Sequence, residues 1–360
     1  MKTNREFKIN SEYSALVDFV DENEMNNIIQ LFRDATVNQT WAYNHLRSKK
    51  CSTLILKRNG AIAAAAILRL TTLPGLRIGV AYLGSGPLWR LKSEADNINS
   101  LHNILFVLRK EYVIDRELYM RISPNLYTNI PDYNEMVHVF SVNGFHSPRC
   151  EDRTLFLDLE QSESDIRKGF YLNWRRNLNR AEKTGFSIHI GTDDYLFKTF
   201  KEIYKEMVTL KNYQCAIDIN ETERIQSSLP EELKYTVIIC DLENRPMSGG
   251  VFSTIGDTGV YFLGATNSSG RENFSSFIVH WEMIKWMKKQ GLRQYDLGGC
   301  SPEKVPETYY FKAGILGKNP PVYQRIGIMD LCENPLSKIA FNTGIHIQKH
   351  SSLLKKIIKK

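Results

Sequence analysis

Cysteine is sparse and unpaired in this chain. Its six cysteines (Cys51, Cys150, Cys215, Cys240, Cys300 and Cys332) are scattered, with no Cys-x-x-Cys pair and no histidine at metal-ligand spacing. That pattern excludes the usual zinc modules and a disulfide framework, so no metal site is expected. Long apolar runs are also missing: the longest, Ala61 to Leu68, falls far short of the roughly 20 residues that cross a bilayer. No basic-then-apolar leader opens the sequence, which points to a cytoplasmic protein with free thiols. Compositional bias is absent too, with 42% hydrophobic and 24% charged residues, as in ordinary globular proteins rather than disordered ones.

What the chain does have is length and positive charge. At 360 residues it is long for one core and comfortable for two. A formal charge of +7 favours polyanionic partners, whether nucleic acid, a phosphorylated precursor or an anionic membrane face. The last ten residues, Ser351 to Lys360, pair apolar doublets with lysines, as a basic amphipathic helix would. A frayed solvated tail is the commoner fate of such a segment; the alternative is peripheral contact with the inner face of the membrane.

Hydrophobic periodicity gives a repeated order of elements. Helices at 24–35 and 41–49 precede strands at 51–57, 61–73 and 78–83, the first two joined by the hairpin signal Asn59-Gly60. A helix at 100–112, a strand at 118–122, a helix at 133–142 stopped by Gly144 and a strand at 154–159 complete a first pass. A second pass opens with one long helix at 164–184, whose stripe of Ile166, Phe170, Trp174, Leu178 and Ala181 leaves Arg175, Arg176, Asn179 and Lys183 on the other side. A strand at 186–190, helices at 194–210 and 222–228, and a meander of strands at 235–240, 247–255 and 260–264 follow, with a last strand at 322–330. The pattern implies an α/β (α+β) fold: two tandem domains, each a mixed sheet flanked by helices, at 1–158 and 159–332, then a basic C-terminal tail at 333–360.

The stretch from Asn273 to Gly314 is the most informative. Phe274, Phe277, Ile278, Trp281 and Ile284 recur at helical spacing, and Gly291 ends the helix behind Lys285, Lys288 and Lys289. A short strand around Tyr295-Asp296 empties into Gly298-Gly299, where the chain allows close approach to the backbone. After a loop with Pro302 and Pro306, Lys312 arrives beside Tyr309, Tyr310 and Phe311. On spacing alone, Asp296 reads equally as a loop cap and Lys312 as a surface lysine.

The order Gly-Leu-Arg-Gln-Tyr-Asp-Leu-Gly-Gly, a proline-containing loop and Tyr-Tyr-Phe-Lys-Ala-Gly resembles the Fem family of non-ribosomal peptidyl transferases. Asn173-Trp174-Arg175-Arg176-Asn177-Leu178 is similar to the Arg-Arg-Asn helix that opens that family's second domain. The resemblance covers roughly Asn38 to Asp330 and is strong in the second half. It implies two tandem GNAT (acetyltransferase-like) domains and transfer of an aminoacyl group from aminoacyl-tRNA to an amine of a nucleotide- or lipid-linked peptidoglycan precursor, as in interpeptide bridge formation. No bound cofactor is implied. By the same resemblance Lys312 is the catalytic lysine that stabilises the oxyanion, with Asp296 accepting a proton or orienting it. Arg176, and Arg175 beside it, would clamp a phosphate or carboxylate; Tyr261 and the Gly298-Gly299 backbone would meet substrate.

Several features depart from the family pattern. The family's lysine after an early tryptophan is replaced by His45 after Trp41, and its arginine before a Gly-Pro step by Ser85, both positions that help hold the phosphorylated precursor. No charged helical arm interrupts the second domain, as in the shorter members. Acetyl-CoA enzymes of the superfamily carry an Arg/Gln-x-x-Gly-x-Gly/Ala turn, and the loop from Thr266 to Glu272 has one glycine and no such spacing. Two alternatives stay open: an acyl-CoA-dependent N-acyltransferase acting on an amino sugar or surface polysaccharide intermediate, and a non-enzymatic nucleic-acid-binding or scaffold protein using the basic helix.

Overall fold

The computed structural model describes residues 4–146, 152–211 and 217–344. The chain forms two compact units: residues 1–32, 38–150 and 326–360 make the first, and residues 33–37 and 151–325 the second.

In the first unit, β1 (Arg5–Lys8) and β2 (Tyr13–Val17) precede α1 (Glu22–Ile29) and α2 (Trp41–Arg47). The meander β3 (Cys51–Arg58), β4 (Ala61–Thr72) and β5 (Gly79–Gly84) is followed by α3 (Ile98–Leu108), a π-helical extension over Arg109–Asp115, β6 (Tyr119–Ser123) and α4 (Tyr133–Val142). The strands β3 and β4 alternate poorly because both faces are covered; Leu54, Ile55 and Leu56 of β3 and Ala64, Ala65, Ala66 and Ile67 of β4 are all within 2% of complete burial. β6 runs parallel to β5, placing α3 as a crossover on the sheet.

The second unit repeats this plan. β7 (Arg153–Thr154) and β8 (Phe156–Asp158) lead to α5 (Glu163–Gly169) and α6 (Leu172–Lys183), then β9 (Ser187–Gly191), α7 (Asp194–Lys211) and α8 (Ile219–Ser228). The meander β10 (Thr236–Leu242), β11 (Arg245–Ser253) and β12 (Thr258–Thr266) is followed by α9 (Ser268–Glu272), α10 (Ser275–Lys289), β13 (Gln294–Asp296), α11 (Pro306–Ala313) and β14 (Tyr323–Gln324). β13 is parallel to β12, as β6 is to β5. Beneath the sheet lies a core in which Trp174, Phe252, Trp281, Ile284, Tyr295 and Leu297 meet. Gly291 ends α10 as its position suggests, at φ 78°, a conformation that costs glycine little.

Three expectations need correction. The helix expected at 164–184 is two helices: Phe170 and Tyr171 are extended, at ψ 139° and 143°, and the Tyr171 N–H donates to the Gly314 carbonyl at 2.8 Å instead of continuing the helical ladder. The expected domain limits, 1–158 and 159–332, also shift. The segment after the first unit supplies β8, which pairs antiparallel with β13 of the second sheet. The segment after the second unit supplies β15 (Met329–Leu331), which pairs antiparallel with β6 of the first. β8, expected in the first domain, thus belongs to the second sheet, and β15, expected in the second domain, to the first. Finally, the chain from 333 is not wholly a tail: residues 335–344 are helical, and the Ser337 hydroxyl accepts from Gly79 N–H (3.2 Å) and donates to the Glu117 carbonyl (2.7 Å). The lysine-rich segment from Ser351 lies outside the described residues.

Candidate active site

The site is built where β12 and β13 part. The two strands pair only from Thr258 to Val260 against Gln294 to Asp296; beyond that β12 runs on to Thr266 while the other chain turns at Gly298-Gly299. Asp296, at the end of β13, orders that turn. Its buried Oδ1 accepts the Gly298 N–H at 2.8 Å and the Thr154 hydroxyl from β7. Gly298 adopts φ 71°, and a β-carbon there would lie 2.6 Å from the Tyr261 carbonyl. Only glycine fits the turn against β12.

Into this turn comes Lys312. Pro306 sits in the first turn of α11, where its missing N–H is no loss, and the helix carries Lys312 inward in its last turn. The expected loop before Lys312 therefore ends at Val305. Lys312 is 6% exposed, and its Nζ donates to the Gly299 carbonyl at 2.8 Å. It forms no ion pair among the described residues. Burial pulls its pKa down to about 8, against the opposing pull of Asp296 and Cys300. Asp296 and Lys312 thus bind neighbouring residues of the same turn, and burial raises the Asp296 pKa despite the bonds from Thr154 and Gly298.

Aromatic rings close the site. Tyr261 lies with its ring 5.4 Å from Nζ, near enough for a cation–π interaction. A bulge in β12 aims it: Phe252 pairs with Tyr261 and Val251 with Leu263, so Phe262 is the extra residue. In a regular strand Tyr261 and Leu263, two residues apart, would share a face; the bulge puts Tyr261 on the other one, with Phe252 and against His280 of α10. Its hydroxyl lies over Gly264, where any β-carbon would collide with it. His280 of α10 packs against Tyr261 (4.7 Å), Phe311 (5.2 Å) and Tyr295 (6.0 Å), and its Nδ1 is 2.7 Å from the Tyr295 hydroxyl. Burial, aided by the Lys312 charge, lowers its pKa to about 3, so the ring is neutral.

The structure thus gathers Lys312, Asp296, Tyr261, Gly298 and Gly299, all expected from the sequence, and adds His280, Tyr295 and Thr154, which were not. His280 was hidden in the apolar stripe of α10, between Ile278 and Ile284. The two arginines behave differently. Trp174 of α6 is buried against Phe277 and Phe311, and Gly314 packs on its ring, so α6 lies on α11. Arg176, two residues on and thus about 200° around the helix, is exposed and makes no hydrogen bond or ion pair among the described residues. Arg175 is half-buried and reaches the Lys168 carbonyl at 3.4 Å. Neither touches Lys312.

Trp41 and His45 belong to the first unit. They are successive turns of α2, capped by Thr40, and their rings stack at 4.0 Å with His45 Nδ1 3.1 Å from the Trp41 carbonyl. Nearby in the same unit, Ser85 takes a left-handed conformation (φ 52°), its hydroxyl accepting from Asn38 and its carbonyl from Gln39. Among the described residues there is no group of three or more metal-ligating side chains, and no helix is long and apolar enough to cross a membrane.

No protein-family model and no curated protein sequence matches the chain. Solved structures do. FemX superposes with a TM-score of 0.73 at 15% identity, covering 90% of this chain and 99% of its own. A conserved protein of unknown function from Bacteroides thetaiotaomicron gives 0.55 at 9% identity, covering 88% and 99%. The C-terminal domain of a putative lysylphosphatidylglycerol synthetase from Agrobacterium fabrum gives 0.50 at 11%, covering 79% and 85%. At such identities the likeness is one of fold. Together with the repeated strand order, it shows that this chain has the fold of FemX, with two units of one plan in tandem.

Proposed function

We propose that the protein is an acyltransferase that moves an aminoacyl group from aminoacyl-tRNA to an amine of a peptidoglycan precursor. The observation that carries the reading is Lys312: a buried cation whose hydrogen-bond partner is a neutral carbonyl and which makes no ion pair among the described residues. Ammonium charge that Asp296 offsets only at a distance, with no ion pair, is worth most in a water-poor site where negative charge develops. The Fem-like motif around it supports the choice of reaction.

In such a transfer the neutral amine attacks the ester carbonyl, and the carbonyl oxygen becomes an oxyanion that Lys312 stabilises. Collapse breaks the ester C–O bond as the C–N bond is kept, and the proton lost by the amine ends on the released ribose oxygen. Asp296 keeps the Gly298-Gly299 turn, and hence Lys312, in place. Arg176, with Arg175, offers guanidinium to the phosphates of tRNA or precursor from the exposed side of α6. Trp41 and His45 contribute to acceptor binding in the first unit, an imidazole standing where the Fem pattern has a lysine.

The acyl-CoA alternative is disfavoured by α9. Where acyl-CoA enzymes leave backbone donors free for pyrophosphate, the N–H groups of Gly270, Arg271, Asn273 and Phe274 already donate to Asn267 Oδ1 and to the carbonyls of Asn267, Ser269 and Arg271. The test is transfer of labelled amino acids from a charged tRNA pool to a uridine-diphosphate-linked stem peptide. Transfer abolished by RNase supports the reading; transfer that needs acyl-CoA and survives RNase supports the alternative; salt-sensitive RNA binding without transfer supports a binding protein.

A further inference from the structure

Tyr295 and His280 form a buried pair beside Lys312 that holding the fold together does not explain. The pair is linked by one hydrogen bond, Tyr295 hydroxyl to His280 Nδ1, at 2.7 Å, and His280 is 1% exposed. An imidazole nitrogen is a far stronger base than a phenol oxygen, so Tyr295 donates and Nδ1 accepts. Burial pushes the Tyr295 pKa well above its usual value, so that proton stays on the phenol. A neutral imidazole that accepts at Nδ1 carries its own proton on Nε2. That Nε2–H makes no hydrogen bond among the described residues, and it is not one of their fully buried, unpartnered polar atoms, so it keeps an opening through which a ligand oxygen can meet it. Rings of Tyr261 and Phe311 flank His280, and both also border Lys312 or precede it in the chain.

We infer that His280 is a second catalytic donor of this site, presenting Nε2–H to the oxygen that becomes the oxyanion, with Tyr295 as the positioning residue that fixes its tautomer. The inference rests on the acyl-transfer reading above. A neutral donor beside the Lys312 ammonium adds a directional hydrogen bond without a second positive charge, which the buried site would disfavour. The structural alternative is that Nε2–H only faces an aromatic ring.

Three variants of the full chain separate these in the tRNA assay. His280→Leu should lower kcat by about 10²–10³-fold with KM changed only a few-fold, as loss of one oxyanion donor does. His280→Gln, whose amide N–H can stand in for Nε2–H, should recover most of that loss. Tyr295→Phe should lower kcat several-fold. Histidine-selective ¹⁵N labelling of the eight histidines should show, for the resonance lost in His280→Leu, the neutral Nε2–H tautomer in the wild type and a mixture of tautomers in Tyr295→Phe. A wild-type Nδ1–H tautomer, or a folded His280→Leu enzyme with kcat within threefold of the wild type, would overturn the inference while leaving acyl transfer standing. A wild type that transfers no acyl group would overturn both.

Discussion

In the proposed transfer the chemistry rests on Lys312, a cation buried where water is scarce. Lys312→Met keeps most of the aliphatic stem while deleting the charge, so the fold should survive and turnover should fall about 10²–10³-fold, roughly 2.7–4 kcal/mol of transition-state stabilisation. Steady-state kinetics with a parallel thermal melt checks this. The pKa of about 8 sets a pH signature. As pH rises through that value the ammonium is lost, so activity should decline on the alkaline side; Lys312→Arg, which keeps its proton, should lose that decline while retaining partial activity. Stability should move the other way. Between about 8 and the ordinary lysine value of 10.5 the unfolded chain holds the proton that the folded one has lost, so unfolding free energy should rise with pH across that window, and Lys312→Met should abolish the rise. The sequence carried the place of Lys312, through the aromatic run before it, and of Asp296, through the glycine pair after it. It did not carry their roles. Asp296 binds a turn rather than the lysine, a distinction set by Thr154, which lies 142 residues away. His280 was equally illegible, since one polar residue in an apolar stripe is usually a satisfied core histidine.

At the scale of elements, the contact between α6 and α11 holds the lysine helix in position. The Tyr171 N–H to Gly314 carbonyl bond and the Trp174 ring against Gly314 form that contact. A β-carbon at Gly314 would lie 2.8 Å from Trp174 Cδ1, so Gly314→Ala must displace the ring or the helix end. Overpacking of this kind costs about 1–3 kcal/mol, and because Lys312 is two residues away turnover should fall with the melting temperature. Unchanged melting and turnover would show that the two helices are not coupled. Helix stops were legible locally, as at Gly291, because backbone sterics decide them within a few residues. The break at Phe170-Tyr171 was not, because the hydrophobic stripe runs straight through it and the competing acceptor is a carbonyl from far along the chain. The bulge at Phe262 was hidden for the same reason: it is a matter of register against β11.

For the whole molecule, the repeated order of meander, helix and parallel strand was readable, and FemX shares the resulting fold. The domain limits were not readable, because two strands pair across the expected limits: β8 with the second sheet and β15 with the first. Ending the chain at Arg325 should therefore damage the first unit rather than the second. It removes β15, the buried Met329 and the Arg121–Asp330 ion pair at 2.8 Å, and it exposes the edge of β6. Hydrogen exchange should show faster exchange in β5 and β6 with β10–β12 unaltered; equal loss in both units would contradict that pairing of β15. The function proposed at this scale is aminoacyl transfer, and mass spectrometry of the peptidoglycan precursor pool tests it most directly, in cells carrying the wild-type gene, no gene, or the Lys312→Met gene. Precursors heavier by one amino-acid residue in the wild type alone are the expected result. Identical precursor masses in all three, or a difference matching some other acyl group, would contradict aminoacyl transfer.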